Sequence, residues 1–348
     1  MEIKLDTLAD KIYQGIKDAS DNNPRHHLGA SIIGHTCDRW LWLSFRWIMR
    51  EDFNGRMLRL FRRGQDEERP LITDLKRIGF DISEINPKTK KQWEFKDGHF
   101  AGSMDGLILS GVPDAPGKRH VLEIKTHSKK SFDALEKDGV EKSKPMHFAQ
   151  MQVYCGATET ERALYVAVCK DDDRIYTERV RFDAEVYKYL VDRAQRIITS
   201  DRLPEPLSAN PTWYECKFCA AYEFCHKQAI PQDVSCRSCS HVTFAREGLV
   251  TCGHWESEIP KENQFAGCDS HIVHPDLVPY PMIEKDKKVF WKIEKAGIVT
   301  LVQNGVADVD IFSSSEILAD AYACASVMGD EFAKQARIEF NARIINEK

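Results

Sequence analysis

Residues 102–126 read GSMDGLILSGVPDAPGKRHVLEIKT, and the pattern of this stretch organises the rest of the chain. Two apolar runs flank a connection rich in Gly, Pro and Asp, the composition of a turn between paired strands. Asp105 sits at the tip of the first strand, and Glu123-Ile124-Lys125 closes the second. Side chains alternate along a strand, so Glu123 and Lys125 share one face, where Asp105 can meet them. Two carboxylates and the Ile124 carbonyl are oxygen donors suited to a hard divalent cation, Mg²⁺ or Mn²⁺. A lysine beside them can orient an attacking water or offset charge growing on a phosphate.

The chain has 348 residues, 42% of them hydrophobic and 30% charged, enough for a sizeable core and two or three domains. Its net charge of -5 argues against indiscriminate polyanion binding and leaves room for a local basic cleft. No apolar run is long enough to span a bilayer, and the N-terminus does not have the pattern of a signal peptide, so a cytoplasmic protein without membrane association is expected. Of the 11 cysteines, seven lie between positions 216 and 268. Without a secretory signal, such clustering indicates metal ligands before disulfides.

Helical periodicity covers residues 2–19 and, after SDNNPRHHLG, a long and mostly helical stretch from Ser31. Residues 91–96, 99–109 and 120–126 have strand character, and 143–157 is helical. The segment RALYVAVCK is a further strand, and a helix over 183–200 runs to the Pro-rich linker RLPEPLSANP. Strand-like pieces over 288–302 precede helices near 316–327 and 331–345. The expected organisation is an N-terminal helix (1–25), an α/β core (26–230), a Cys-rich module (231–280) and a C-terminal α+β extension (281–348).

Three further motifs join the hairpin. MDG and EIK are separated by 18 positions. Upstream, FRRGQDEERP places Glu68 four residues after Gly64; downstream, HFAQMQVYCGAT carries Gln150 and Tyr154 on one helical face. In order and spacing this set resembles the PD-(D/E)xK nucleases, and within them the RecB-like exonucleases. The resemblance covers roughly residues 30–228. It implies a restriction-endonuclease-like core, with a mixed central sheet flanked by helices, and metal-dependent hydrolysis of phosphodiester bonds at DNA ends. Asp105, Glu123 and the Ile124 carbonyl would hold Mg²⁺ or Mn²⁺, with Glu68 assisting and Glu67 as its near alternative. Lys125 would orient or activate the water, and Gln150 and Tyr154 would stand near the attacked phosphate. DNA, single-stranded or as duplex ends, is the implied partner, in recombination, repair or phage DNA processing (in the host cytoplasm if phage-encoded). A strand-annealing or single-strand-binding protein would accompany it by analogy, and an oligomer is compatible. The alternative is an end-processing factor of the CRISPR-adaptation kind that works mainly by recruiting partners.

WYECKFCAAYEFCHK supplies Cys216, Cys219 and Cys225 in a C-x2-C-x5-C run. A bare C-x2-C suits zinc. With isolated Cys37 as a fourth ligand, the pattern resembles AddB-type nucleases, which implies a [4Fe–4S] cluster that clasps the two ends of the core. A second run, Cys236, Cys239, Cys252 and Cys268, spaced C-x2-C-x12-C-x15-C, suits a small Zn²⁺ module, with His271 or His254 as the alternative fourth ligand. Such a segment has too few large apolar residues to fold without metal. Finally, Arg39, Arg46, Arg50, Arg59, Arg62 and Arg63 are interleaved with aromatic residues, a pattern fit for phosphates and unpaired bases. Lys129, Lys130, Lys142 and Lys144 form a second basic set at FDALEKDGVEKSKP, expected as a loop that gates DNA entry.

Overall fold

The computed structural model describes residues 7–20, 23–49, 53–227, 229–231, 234–286, 288–295 and 298–305. Arg50, Cys324 and the helices expected near 316–327 and 331–345 lie outside the described residues. In chain order the elements are α1 (Leu8–Asp18), β1 (Leu28–Gly29), α2 (Asp38–Phe45), α3 (Gly55–Arg77), β2 (Asp81–Ser83), β3 (Glu94–Asp97), β4 (Phe100–Ser103), β5 (Gly106–Ser110), β6 (His120–His127), α4 (Lys129–Ser143), α5 (Pro145–Thr158), β7 (Arg162–Cys169), β8 (Ile175–Arg181) and α6 (Ala184–Thr199). The remainder holds α7 (Tyr214–Lys217), α8 (Tyr222–His226), β9 (Val242–Phe244), β10 (Val250–Cys252), β11 (Ser257–Glu258), β12 (Met282–Lys285), β13 (Lys288–Lys295) and β14 (Ile298–Gln303). The chain forms two compact units, Met1–His35 with Glu51–Arg196, and Thr36–Arg50 with Ile197–Lys348. Among the described residues, no helix is long and apolar enough to cross a membrane.

The first unit is mixed α/β. Its main sheet has the order β2-β5-β6-β7-β8; β6 and β7 are parallel and the other pairs antiparallel. A parallel pair needs a crossover, and α4 with α5 supplies it. One face of the sheet carries Ile108, Leu122, Ile124, Leu164, Val166 and Val168, which pack with Leu71 and Ile72 of α3 into one apolar core. Alternation sends Glu123, Lys125 and His127 of β6 and Tyr165 of β7 to the opposite face. A second sheet, β1-β4-β3, lies alongside in the same unit.

The mostly helical stretch expected from Ser31 holds two helices, α2 and α3. Helix α2 stops at Phe45, and Trp47 takes the left-handed backbone (φ 59), which no helix continues. Helix α3 restarts behind Asn54, whose side chain accepts from the Met57 N–H at 3.0 Å. The segment expected as a gating loop is helical too. Within α4, Gly139 at φ 73 breaks the helix, and the freed Val140 N–H donates to Glu178 of β8 at 2.8 Å. That bond anchors the break to the sheet.

The second unit contains two three-stranded antiparallel sheets, β11-β10-β9 and β12-β13-β14. Its centre is a stack of arginines on aromatic rings. The Arg237 guanidinium lies 4.2 Å from the Trp47 ring centre and 4.8 Å from that of Phe45, and donates to the Phe45 carbonyl at 2.7 Å. Arg46 lies 4.4 Å from the Trp42 ring and donates to the Ser200 carbonyl at 3.1 Å. Burial pushes Arg46 down to about 10 and Arg237 to about 9. Trp47 stacks on Phe265 at 4.4 Å.

In the first unit a close approach fixes helix against strand. Tyr154 of α5 donates to the Ser103 carbonyl at 2.8 Å, and a Cβ on Gly102 would meet the Tyr154 hydroxyl at 2.5 Å and Ala30 Cβ at 2.9 Å. Gly102→Ala should therefore destabilise the first unit by about 1–3 kcal/mol. Urea unfolding of the variant beside the wild type checks this.

Candidate active site

Asp105, Glu123 and Lys125 come together at the start of β5 and the middle of β6, with Glu68 within electrostatic reach. The central strand positions them: β6 is paired on both sides, Gly106 opposite Leu122 and Glu123 opposite Tyr165. Asp105 precedes β5 and accepts from the Ile124 N–H at 2.7 Å, which pins the hairpin tip to the EIK triplet. Glu123 is fully buried, and its Oε1 pairs with the Lys125 ammonium. Ala167 stands opposite Lys125 in the register, a small residue beside a long one. Glu68 completes the group from α3.

Electrostatics join the four. Burial raises Glu68 to about 7, with the Asp105 charge adding to it and Lys125 opposing. Burial raises Glu123 to about 7, opposed by Lys125. Asp105 is likewise raised by burial, against the pull of Lys125 and the Ile124 N–H. Burial acts to lower Lys125, but the charges of Glu123, Asp105 and Glu68 prevail and raise it. Three acids thus share one ammonium in a poorly solvated place, where ionising all three is costly.

Two buried acceptors of the site have no hydrogen-bond partner among the described residues: Glu123 Oε2 and Gln150 Oε1. Gln150 and Tyr154 both lie buried on α5, with Gln150 Nε2 3.4 Å from the Tyr154 hydroxyl. Tyr154 spends its proton on Ser103, so it holds helix against strand. Among the described residues, no three His, Cys, Asp or Glu side chains close into a metal-holding geometry. The hairpin offers instead the pattern usual for Mg²⁺, one or two carboxylates with the rest supplied by water and phosphate. The orphaned Glu123 oxygen and the three acids sharing one ammonium fit that pattern.

Both cysteine sets lie in the second unit, each with its members within electrostatic reach of one another. Beyond burial, the Cys219 thiol is raised by Cys225, Cys37 and Cys216. Cys37 caps α2, accepting from the Trp40 N–H at 3.4 Å, and Cys219 accepts from the Ala221 N–H at 3.4 Å. Burial and the charges of Cys239, Cys268 and Cys252 push Cys236 up to about 11. Cys236, Cys239, Cys252 and Cys268 line a cavity of about 380 Å³ together with His241, His254 and His271. His271 is buried, with Nε2 3.0 Å from the Ser238 hydroxyl.

The expected DNA-contacting residues separate into two kinds. Arg46 is a correction: at 2% exposure, with its guanidinium against Trp42 and Phe244, it cannot meet a phosphate. Arg39 is half-buried, donating to the Pro204 carbonyl at 2.6 Å. Arg59, Arg62 and Arg63 are exposed and line a cavity of about 340 Å³ with Arg56, Tyr13, Leu60 and Asp66. Lys129 pairs with Asp133 at 2.7 Å, and Lys130 is exposed. Missed entirely were His147, three residues before Gln150, and His127, two after Lys125, joined through Tyr165. Their positions on the faces of Gln150 and Lys125 were the available signal.

No family model matches the chain, and no curated protein matches it. Among solved structures it is similar to SSO0001, 16% identical over 64% of this chain and 97% of that one, TM-score 0.37. It is also similar to the alkaline exonuclease LHK-Exo from Laribacter hongkongensis, 16% identical over 54% and 90% of the two chains, TM-score 0.35. The same exonuclease in complex with dAMP is 19% identical over 49% and 85%, TM-score 0.34.

Carboxyl groups raised in the folded state bind more protons there than in the unfolded chain, so stability falls as pH rises between the two values. In EDTA the first unit should lose stability from about pH 4.5 to about pH 7 as Glu68 and Glu123 ionise. Glu123→Gln should flatten that fall. Thermal melts of both proteins across this range are the measurement; equal slopes would contradict the shared burial of these acids.

Proposed function

We propose that the first unit is a Mg²⁺- or Mn²⁺-dependent deoxyribonuclease of the PD-(D/E)xK type that acts at DNA ends. The carrying observation is the convergence of Asp105, Glu123 and Lys125, with Glu68 coupled to them, on the polar face of one hairpin. Asp105, Glu123 and the Ile124 carbonyl would hold the cation and Glu68 would assist. When bound, the ion would supply Lewis-acid polarisation of the phosphodiester. Lys125, held against Glu123, orients the attacking water and offsets negative charge as it develops on phosphorus oxygens. Gln150, whose buried Oε1 has no partner among the described residues, donates to Tyr154, on which the charges of Glu123 and Asp105 act, and Tyr154 fixes α5 against β4. The exposed arginines of α3, Arg59, Arg62 and Arg63, would engage the DNA backbone, with Lys130 a second contact.

The cysteines support two further assignments. Four thiolates repel one another, and a cation between them relieves that repulsion. Cys37, Cys216, Cys219 and Cys225 would hold a [4Fe–4S] cluster, and Cys236, Cys239, Cys252 and Cys268 a structural Zn²⁺. Protein purified without oxygen should be brown and contain both iron and zinc. Colourless protein without iron would remove the cluster, and absence of zinc would remove the second site.

The central test is digestion of 5′- and 3′-labelled single- and double-stranded DNA with Mg²⁺ or Mn²⁺. Glu123→Gln, Asp105→Asn and Lys125→Ala should each lower cleavage by at least about 10²-fold, while circular dichroism stays native. Cleavage by Lys125→Ala at the wild-type rate would refute the role assigned to this lysine and, with it, the hydrolytic site.

A further inference from the structure

Beside the acidic cluster stands a polar chain that the proposed hydrolysis leaves unused. His127 ends β6 on the face of Glu123 and Lys125. His147 lies on α5, one turn before Gln150 and two before Tyr154, so the three share one side of the helix. The Tyr165 hydroxyl joins the two imidazoles, 2.8 Å from His127 Nε2 and 2.9 Å from His147 Nδ1. The Ser131 hydroxyl lies 3.1 Å from His127 Nδ1. Tyr165 is fully buried and stands opposite Glu123 in the parallel register, so both rise from the same face of the sheet.

Charges of both signs act on this chain: Glu123 and Glu178 on Tyr165, ammonium groups on the two imidazoles. Burial pushes His147 down to about 3, with Lys125, His127 and Lys144 adding to it. Burial lowers His127 to about 4, assisted by Lys144, Lys170 and Lys125. Both rings are therefore neutral near pH 7, and each carries a single N–H. His147 is only part-buried, and its Nε2 makes no hydrogen bond to the described protein. A neutral imidazole with one nitrogen to spare, within reach of the Lys125 and Lys144 charges, can donate to an anion.

We propose that His147 is a further substrate-contacting residue of this site, its Nε2–H donating to a non-bridging phosphate oxygen of the DNA, with Tyr165 and His127 as its positioning residues. The proposal rests on the nuclease reading of the first unit. Two proton orders satisfy the chain itself, and one of them also serves a phosphate. Ser131 donates to His127 Nδ1, His127 Nε2–H donates to the Tyr165 oxygen, and the Tyr165 proton goes to His147 Nδ1. His147 Nε2 then carries hydrogen toward the phosphate. The reverse order would turn a lone pair toward an anion, so a bound phosphate selects the first.

The test compares wild type, His147→Ala, His147→Gln and Tyr165→Phe in two assays. The first is steady-state cleavage of a labelled oligonucleotide with Mg²⁺; the second is fluorescence anisotropy of the same oligonucleotide in EDTA. His147→Ala should raise KM and weaken binding about tenfold, because it removes a hydrogen bond to a charged group. His147→Gln, which keeps an N–H donor, should recover most of that loss. Tyr165→Phe should weaken binding several-fold, and in ¹⁵N NMR of wild-type protein bound to the oligonucleotide in EDTA the His147 proton should reside on Nε2. Wild-type KM and binding in His147→Ala would overturn the proposal, as would a proton on Nδ1. A wild-type protein that does not cleave DNA defeats the nuclease reading, and the anisotropy series then decides the His147 contact by itself.

Discussion

A carboxylate without solvent exposure, paired with the ammonium two residues along the same strand, is the constraint on which the first unit depends. Burying either charge alone costs several kcal/mol, of the order that folding as a whole supplies. Glu123 and Lys125 tolerate that place because β6 is paired on both edges and cannot slip without turning its whole apolar face outward. The core formed with Leu71 and Ile72 holds one side of the strand; α5 covers the other. Asp105, tied to the Ile124 N–H, brings a further negative charge into the same place. The site is thus strained toward protonation of its acids, and a cation is the natural relief.

The second unit solves a related problem by other means. Arg46 and Arg237 are buried, and their charge is met by aromatic faces and carbonyl oxygens. An arginine keeps a delocalised, weakly hydrated charge that such surroundings accept better than they would an ammonium. The arginine stack therefore serves as core in a segment short of large aliphatic residues.

Much of this was legible beforehand. Alternation across Glu123-Ile124-Lys125 gave the polar face, and the Gly- and Pro-rich connection gave the hairpin, though the strands near it divide into two sheets. The spacing of Gln150 and Tyr154 gave the face of α5. Failure had particular causes. An arginine among tryptophans has the same pattern whether its partner is a phosphate or a buried ring, so Arg46 misled. Gly139 between charged residues suggested a loop, whereas the carboxylate that accepts from the following N–H comes from β8, 38 residues away. His127, His147 and Tyr165 belong to three elements, and no local pattern could join them. The proximity of Cys37 to Cys216, Cys219 and Cys225 is also long-range, and only the resemblance suggested it.

The second unit is discontinuous in the chain: residues 36–50 belong to it, while their neighbours on both sides belong to the first. Leu41, Trp42, Leu43 and Phe45 are buried there, and Trp42 donates to the Ser200 carbonyl at 3.0 Å. A gene truncated after codon 196 would consequently yield a sticky fragment, with four large side chains stripped of their cover. Splitting this protein into its halves calls for excision of an internal stretch or a circular permutation, since no single cut separates them.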